Sequence, residues 1–129
     1  MNLLLDTNAL LWWLAGSDRV AGEARAAIAN PANTVHVSSV SAWEIAIKAG
    51  LRRLDAPPDL ASWLPQALAE NRFTPLSITM THAVGVGSLP RHHSDPFDRL
   101  LIAQALAEGC WLVTGDRAFE PYGVPLIAC

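Results

Sequence analysis

Acidic residues occur at positions where several carboxylates could act together on one ligand. Asp6 and Asp116 each follow a short apolar run, Leu3-Leu4-Leu5 and Leu112-Val113-Thr114. Such runs are typical of buried parallel strands, and open α/β sheets bind ligands beyond the carboxyl ends of their strands. A single Asp at such a position is more often a helix cap. The two residues therefore predict a site only if other acids join them.

Glu44 is the third acid, and its expected position in a helix is unusual. On a helix over residues 40–51 it lies within an arc of four apolar side chains: Val40, Trp43, Ile47 and Leu51. Burying an ionised carboxylate costs several kcal/mol unless it is paired or bound to a metal. Lys48 is a possible partner, but it points about 40° further round the helix, towards the polar side. We therefore expect Glu44 to face a metal ion rather than Lys48.

The segment Asp95-Pro96-Phe97-Asp98 supplies the fourth acid at the start of a strong helix. Asp95 is suited to cap this helix, with Pro96 at its first position. Asp98 falls on the same helical arc as Leu101 and Ile102, so it should point inward over the sheet. We assign the site role to Asp98 and keep Asp95 as a cap, with an outer metal-ligand role left open.

A cluster of these four acids would bind a divalent cation, since neighbouring carboxylates raise one another's pKa and an ion relieves their repulsion. Ligation by oxygen alone suits Mg²⁺ or Mn²⁺ better than Zn²⁺. Such an ion can activate water and stabilise the charge that develops at a phosphodiester. Two cysteines without a CxxC pair indicate neither a zinc site nor a disulfide framework. The chain also lacks a P-loop and a GxGxxG motif.

Alternating strands and helices must position the acids. The predicted strands cover residues 2–5, 34–37, 73–78, 111–114 and 124–127. The predicted helices cover residues 9–15, 20–30, 40–51, 59–70, 79–86 and 96–108. This alternation predicts an α/β fold with a parallel sheet covered on both faces. Because proline cannot donate to a strand ladder, the strands with Pro75 and Pro125 belong at edges or bulges.

The bulk composition predicts one soluble domain over residues 1–129. The chain is 51% hydrophobic and 16% charged, with a net charge of −3. Proteins that bind nucleic acid by neutralising phosphates usually carry a basic surplus, so a passive nucleic-acid binder is disfavoured. A nuclease is not disfavoured, since its metal ion supplies positive charge. No apolar run is long enough to span a bilayer and no signal peptide is evident, so we expect a cytoplasmic protein.

The four acidic segments resemble, in order, the motifs of PIN-domain proteins. They read LLLDTNALLWWL, SAWEIAIKAG, HHSDPFDRLLIAQAL and LVTGD. The similarity covers essentially the whole chain and is greatest to the VapC-type toxins of toxin–antitoxin pairs. The ordered set is much more specific than any one motif.

The resemblance implies a three-layer α/β/α sandwich with strand order 3-2-1-4-5. It also implies that the catalytic and metal-binding residues are Asp6, Glu44, Asp98 and Asp116, with Mg²⁺ or Mn²⁺ as cofactor. Thr114 and Asn8 would support them by hydrogen bonds. The implied activity is that of a metal-dependent endoribonuclease acting as a toxin, with RNA as substrate, a cognate antitoxin as partner and a homodimeric assembly.

Other interpretations stay open at this point. A catalytically silent PIN-like module that binds RNA or protein is the main alternative, although the full set of acids speaks against it. Among the basic residues, Arg99 and Arg117 follow site acids and are the predicted phosphate contacts. The adjacent His92 and His93 are only weak evidence for a transition-metal pair. A haloacid-dehalogenase-like phosphotransferase would need a second Asp where this chain has Asn8.

Overall fold

The computed structural model describes residues 1–129 as an alternation of strands and helices. The strands are β1 (Asn2–Leu5), β2 (Thr34–Ser38), β3 (Thr74–Leu76), β4 (Trp111–Thr114) and β5 (Leu126–Ala128). The helices are α1 (Thr7–Leu14), α2 (Gly22–Ala29), α3 (Ser39–Gly50), α4 (Leu60–Glu70), α5 (Met80–Gly85) and α6 (Pro96–Glu108). Short 3₁₀ helices cover Val86–Ser88 and Arg117–Tyr122. No helix is both long enough and apolar enough to cross a membrane.

The five strands form one parallel sheet in the order β3-β2-β1-β4-β5, which confirms the predicted fold class and strand order. β1 lies at the centre, with Leu4 opposite His36 of β2 on one side and Leu112 of β4 on the other. Pro75 lies in the edge strand β3. Pro125 directly precedes the other edge strand, and its carbonyl accepts a hydrogen bond from the Leu112 amide. The edge positions tolerate both prolines because no further strand needs their missing N–H.

Alternate residues of the central strand divide the hydrophobic core between the two faces of the sheet. Leu3 and Leu5 belong to a cluster that takes in buried residues of α1, α2 and α4. Leu4 belongs to a second cluster that includes Val40 of α3 and Leu101 of α6. Because successive side chains of a strand point to opposite faces, this division makes the sheet the middle layer of the sandwich.

The element boundaries differ from the sequence predictions in two informative places. The predicted strand over 73–78 ends at Leu76. Beyond it, backbone groups form hydrogen bonds with side chains instead of with a neighbouring strand. The Ile78 amide donates to Ser39 Oγ, and Gln104 Nε2 donates to the Ser77 carbonyl. The 3₁₀ helix over Arg117–Tyr122 was not predicted, since its apolar positions are too few to show a helical period.

Candidate active site

The four predicted acids meet in one cavity beyond the carboxyl ends of β1 and β4. The cavity has a volume of about 210 Å³, and Phe119 is its one apolar lining residue. The polar lining consists of Asp6, Thr7, Asn8, Glu44, Lys48, His93, Asp95, Asp98 and Asp116. The positions of Asp6 and Asp116 after their strands predicted a ligand site at these carboxyl ends.

Asp6 is both a helix cap and a wall of the cavity. Its Oδ1 accepts a hydrogen bond of 2.7 Å from the Ala9 amide, and its Oδ2 accepts one from the Thr114 hydroxyl. Burial raises the pKa of this carboxyl from 3.8 to about 6, against the opposing effect of these two hydrogen bonds. The charges of Asp98 and Asp116 raise the pKa further. Burial, with like charge adding to it, therefore favours the neutral form of this carboxyl in the metal-free protein.

Glu44 is buried, with 5% of its surface exposed, and both of its oxygens have partners. The Thr7 hydroxyl lies 2.6 Å from Oε1, and the Lys48 ammonium lies 2.7 Å from Oε2. The expectation that Lys48 would point away is wrong. Its flexible four-carbon side chain bends round the helix and brings the ammonium to Glu44, while 44% of the side chain stays exposed. Glu44 is thus stabilised within the protein itself.

The apolar arc predicted around Glu44 is also displaced in the structure. Trp43 and Leu51 are exposed, at 57% and 58%. The buried residues of α3 are Val40, Ser41, Glu44 and Ile45. Glu44 therefore lies within the buried face of α3. This face includes the small residue Ser41, and the small Ala42 lies next to it, so hydropathy alone does not predict it.

Asp95 and Asp98 both line the cavity, and Asp95 is the helix cap that the sequence predicted. Asp95 Oδ1 accepts hydrogen bonds from the amides of Phe97 and Asp98 and so caps α6. Asp98 Oδ2 lies 2.7 Å from His93 Nε2. Burial raises the pKa of Asp98, the hydrogen bond from His93 lowers it, and the nearby Asp95 and Glu44 charges raise it.

Asp116 closes the cavity from the loop after β4. Its amide donates to Thr114 Oγ1 at 2.9 Å, and its Oδ1 accepts from the Ala118 amide at 2.9 Å. The side chain is solvent-exposed, unlike that of Asp6. One ligand atom each of His93, Asp98 and Asp116 lie within 4.8 Å of one another.

Comparison with known proteins agrees with this geometry. A family model described as "PIN domain" matches residues 3–124. The chain belongs to the PIN-domain family. It is 36% identical to Ribonuclease VapC22 of Mycobacterium tuberculosis over 124 residues, which cover 95% of this chain and 93% of that protein. The resemblance stated from the motifs is confirmed at the level of the family.

Solved structures show the same PIN fold at lower sequence identity. VapBC2 from Rickettsia felis, bound to a DNA fragment from its promoter, matches with a TM-score of 0.74 and 20% identity. The match covers 99% of this chain and 98% of that chain. VapBC-1 from nontypeable Haemophilus influenzae matches with a TM-score of 0.70 and 17% identity over the same shares. These matches confirm the three-layer fold.

Two side chains in this PIN domain that sequence reasoning did not assign contribute to the site. Thr7 is buried and bonds to Glu44, and its hydroxyl also lies 3.0 Å from Ser41 Oγ. His93 contacts Asp98 directly. Asn8, which was expected to support the acids, is exposed and makes none of the hydrogen bonds that hold them. A polar residue at the first buried position of α1 was the available signal for Thr7.

The structure gives different surroundings to Arg99 and Arg117, the two arginines predicted to contact phosphate. The Arg99 guanidinium donates to the carbonyls of Val86, Leu89 and Pro90 and to the Tyr122 hydroxyl. It therefore fastens the loop before α6 and also lines an open polar pocket there, so its role as a phosphate contact stays a prediction. Arg117 is 92% exposed and lies 3.5 Å from Glu120, so it remains accessible.

The donors in the cavity fit a divalent cation. Carboxylate oxygens are the preferred ligands of Mg²⁺ and Mn²⁺. Asp98 and Asp116 keep oxygens on the cavity side that backbone caps do not use. The raised pKa values of Asp6 and Asp98 arise from burial and like charge, both of which a cation in the cavity would offset.

Thr7 gives a direct test of how Glu44 is held. The variant Thr7→Val keeps the shape of the side chain but removes the hydroxyl that donates to Glu44. We expect it to lower the free energy of unfolding by about 1–3 kcal/mol, the cost of leaving a buried polar group with a missing partner. Thr7→Ser keeps the hydroxyl and should lose less. Urea unfolding of the three proteins checks this, and equal losses in both variants would contradict it.

Proposed function

We propose that this PIN domain is a divalent-metal-dependent endoribonuclease that acts as the toxin of a toxin–antitoxin pair. The observation that carries the proposal is the convergence of Asp6, Glu44, Asp98 and Asp116 on one polar cavity. The name of the relative, Ribonuclease VapC22, supports RNA as the substrate. The chain aligns with nearly the full length of that relative.

The proposed chemistry is hydrolysis of an RNA phosphodiester with Mg²⁺ or Mn²⁺ as cofactor. When bound, the ion would activate the attacking water and offset charge on the phosphate. Asp98 and Asp116 would hold it, with His93 and the cap of α6 fixing Asp98. Asp6 is fixed by the Ala9 amide and the Thr114 hydroxyl, so its carboxylate would face the bound ion and its water from a set position.

Lys48 and Thr7 act on Glu44 rather than on substrate. Together they fix both oxygens of its carboxylate at the inner wall of the cavity. Because each contact is shorter than 3 Å, Glu44 has little freedom to turn. Its carboxylate, already paired with Lys48, would border a bound ion from a position set before any ligand arrives. The site thus combines two tightly held acids, Asp6 and Glu44, with two more accessible ones.

RNA cleavage with and without a divalent ion tests the proposal. The purified chain should cut a labelled, partly single-stranded RNA in Mg²⁺ or Mn²⁺, and excess EDTA should stop the reaction. Adding the ion back should restore it. RNA that is bound but never cut under these conditions would favour the silent binding module instead.

We further propose an antitoxin partner and a homodimer. The titles of two structural neighbours support the partner: one is a toxin–antitoxin complex from Klebsiella pneumoniae, and the other, VapBC-5 from Mycobacterium tuberculosis, is a member of the VapBC family of toxin–antitoxin systems. Exposed apolar side chains are available for association, with Met80 81% exposed and Val84 70% exposed on α5. Static light scattering of the isolated chain should give twice the monomer mass. A strict monomer at high concentration would contradict the homodimer.

A further inference from the structure

The acids expected from the sequence are not equally placed to bind an ion. The Asp6 oxygens accept hydrogen bonds from Ala9 and Thr114, and the Glu44 oxygens from Thr7 and Lys48. A different trio brings its ligand atoms within 4.8 Å of one another, namely His93, Asp98 and Asp116. Ligands on opposite sides of a six-coordinate ion are about 4.2 Å apart, so small movements of these side chains would bring all three atoms onto a single ion. The trio includes a nitrogen donor.

His93 is held with its ring nitrogen directed at the acids. Nε2 lies at hydrogen-bond distance, 2.7 Å, from Asp98 Oδ2. An ion bound between the two side chains would take the place of the proton that this hydrogen bond holds. The ring meets Phe119 edge to face, with centroids 6.4 Å apart, and Phe119 is fully buried. The side chain is 24% exposed, so an ion can reach it from solvent.

His92, the adjacent residue, faces elsewhere. Its ring packs on Tyr122 with centroids 5.3 Å apart, and it does not line the acidic cavity. It lines a neighbouring pocket together with Arg91 and Ser94, and His93 borders both that pocket and the acidic cavity. The two histidines are therefore not a metal pair, and one of them serves as a matched control for the other.

We propose that His93 is a nitrogen ligand of the divalent ion, so that the site binds Mn²⁺ in preference to Mg²⁺. This inference rests on the proposed metal-dependent function. Mg²⁺ strongly prefers oxygen ligands, whereas imidazole is a ligand for transition ions. Replacing one oxygen by one nitrogen in an otherwise carboxylate site therefore shifts its preference towards Mn²⁺.

Pulsed electron paramagnetic resonance on the Mn²⁺-loaded chain tests the inference without any substitution. The spin-echo modulation should contain the signature of one directly bound imidazole nitrogen. His92→Ala should keep this signal, and His93→Ala should lose it. A wild-type spectrum without nitrogen modulation overturns the proposal.

Isothermal titration of the metal-free proteins gives a second readout. His93→Ala should weaken Mn²⁺ binding by about tenfold or more, within the range seen when groups around a metal are removed, and Mg²⁺ binding by clearly less. Equal weakening for both ions overturns the inference. If the wild-type chain binds Mn²⁺ and cuts RNA but shows no nitrogen signal, only the role of His93 fails. If it binds neither ion, the proposed function fails with it.

Discussion

Asp98→Asn should reduce RNA cleavage by at least about 100-fold while leaving the fold intact. Losses of this size follow the removal of one group that stabilises charge in a transition state. The amide keeps the shape of the side chain and can still contact His93, but it lacks the negative charge that holds a cation. The rate is measured on a labelled RNA at saturating Mn²⁺, and the fold is checked by circular dichroism and thermal unfolding.

Asp59→Asn is the matched control, because Asp59 is an exposed acid before α4 whose side chain makes no capping hydrogen bond. It makes the same chemical change away from the cavity and should leave cleavage at the wild-type rate. Cleavage by Asp98→Asn at that same rate would contradict the assignment of the site.

Asp95→Asn addresses the role left open for the second acid of the same motif. Asparagine is as good a helix cap as aspartate, so α6 should remain stable. If Asp95 is a cap alone, cleavage should fall much less than in Asp98→Asn. A comparable loss with unchanged stability would place Asp95 in the metal shell, since it also lines the cavity.

Asp6→Asn should stabilise the metal-free protein at neutral pH. The pKa of this carboxyl is about 6 in the folded state, against 3.8 for the side chain in an unfolded chain. A carboxyl with a raised pKa contributes stability that is fully present below pH 3.8 and is lost as the pH rises through 6. About two pKa units correspond to roughly 3 kcal/mol. Asparagine stays neutral and escapes this loss.

Urea unfolding in EDTA at pH 7.5 and pH 4 measures this effect. At pH 7.5 Asp6→Asn should exceed the wild type by up to about 3 kcal/mol, and the gap should narrow towards pH 4. Mn²⁺ should then stabilise the wild type more than the variant, because only the wild type gains a counter-charge for Asp6. A variant less stable than the wild type at pH 7.5 would show that burial of this charge is not costly.

The sequence carries most of the information about the fold because hydrophobic pattern and proline determine it. Continuous apolar runs predicted the central strands β1 and β4, and Pro75 predicted the edge position of β3. The helix α6 was predicted at its observed bounds because Asp95, Pro96 and Gly109 mark both ends. Short segments without periodicity were missed, as in the 3₁₀ helix after Asp116.

The site was less predictable, because its details depend on how flexible side chains reach one another. Asp6 and Asp116 were found from strand ends, which fix the backbone. The ion pair of Lys48 with Glu44 has the usual i,i+4 spacing of helical ion pairs, and the angular argument against it failed because the long lysine side chain bends back. Arg99 follows a site acid yet turns to carbonyls of a loop nine or more residues earlier. No local pattern encodes such contacts between segments.

The most direct test of the central claim locates the divalent ion in the wild-type protein. Amide signals of a ¹⁵N-labelled sample are recorded by nuclear magnetic resonance while a small amount of Mn²⁺ is added. Paramagnetic broadening should be strongest for Asp6, Glu44, Asp98 and Asp116 and their chain neighbours. It should be weak at Ala32 and Asn33, which precede β2 at the amino-terminal ends of the strands, away from the cavity. Broadening spread evenly over the surface, or centred away from the cavity, would contradict the assignment of the acidic cavity as the metal-dependent active site.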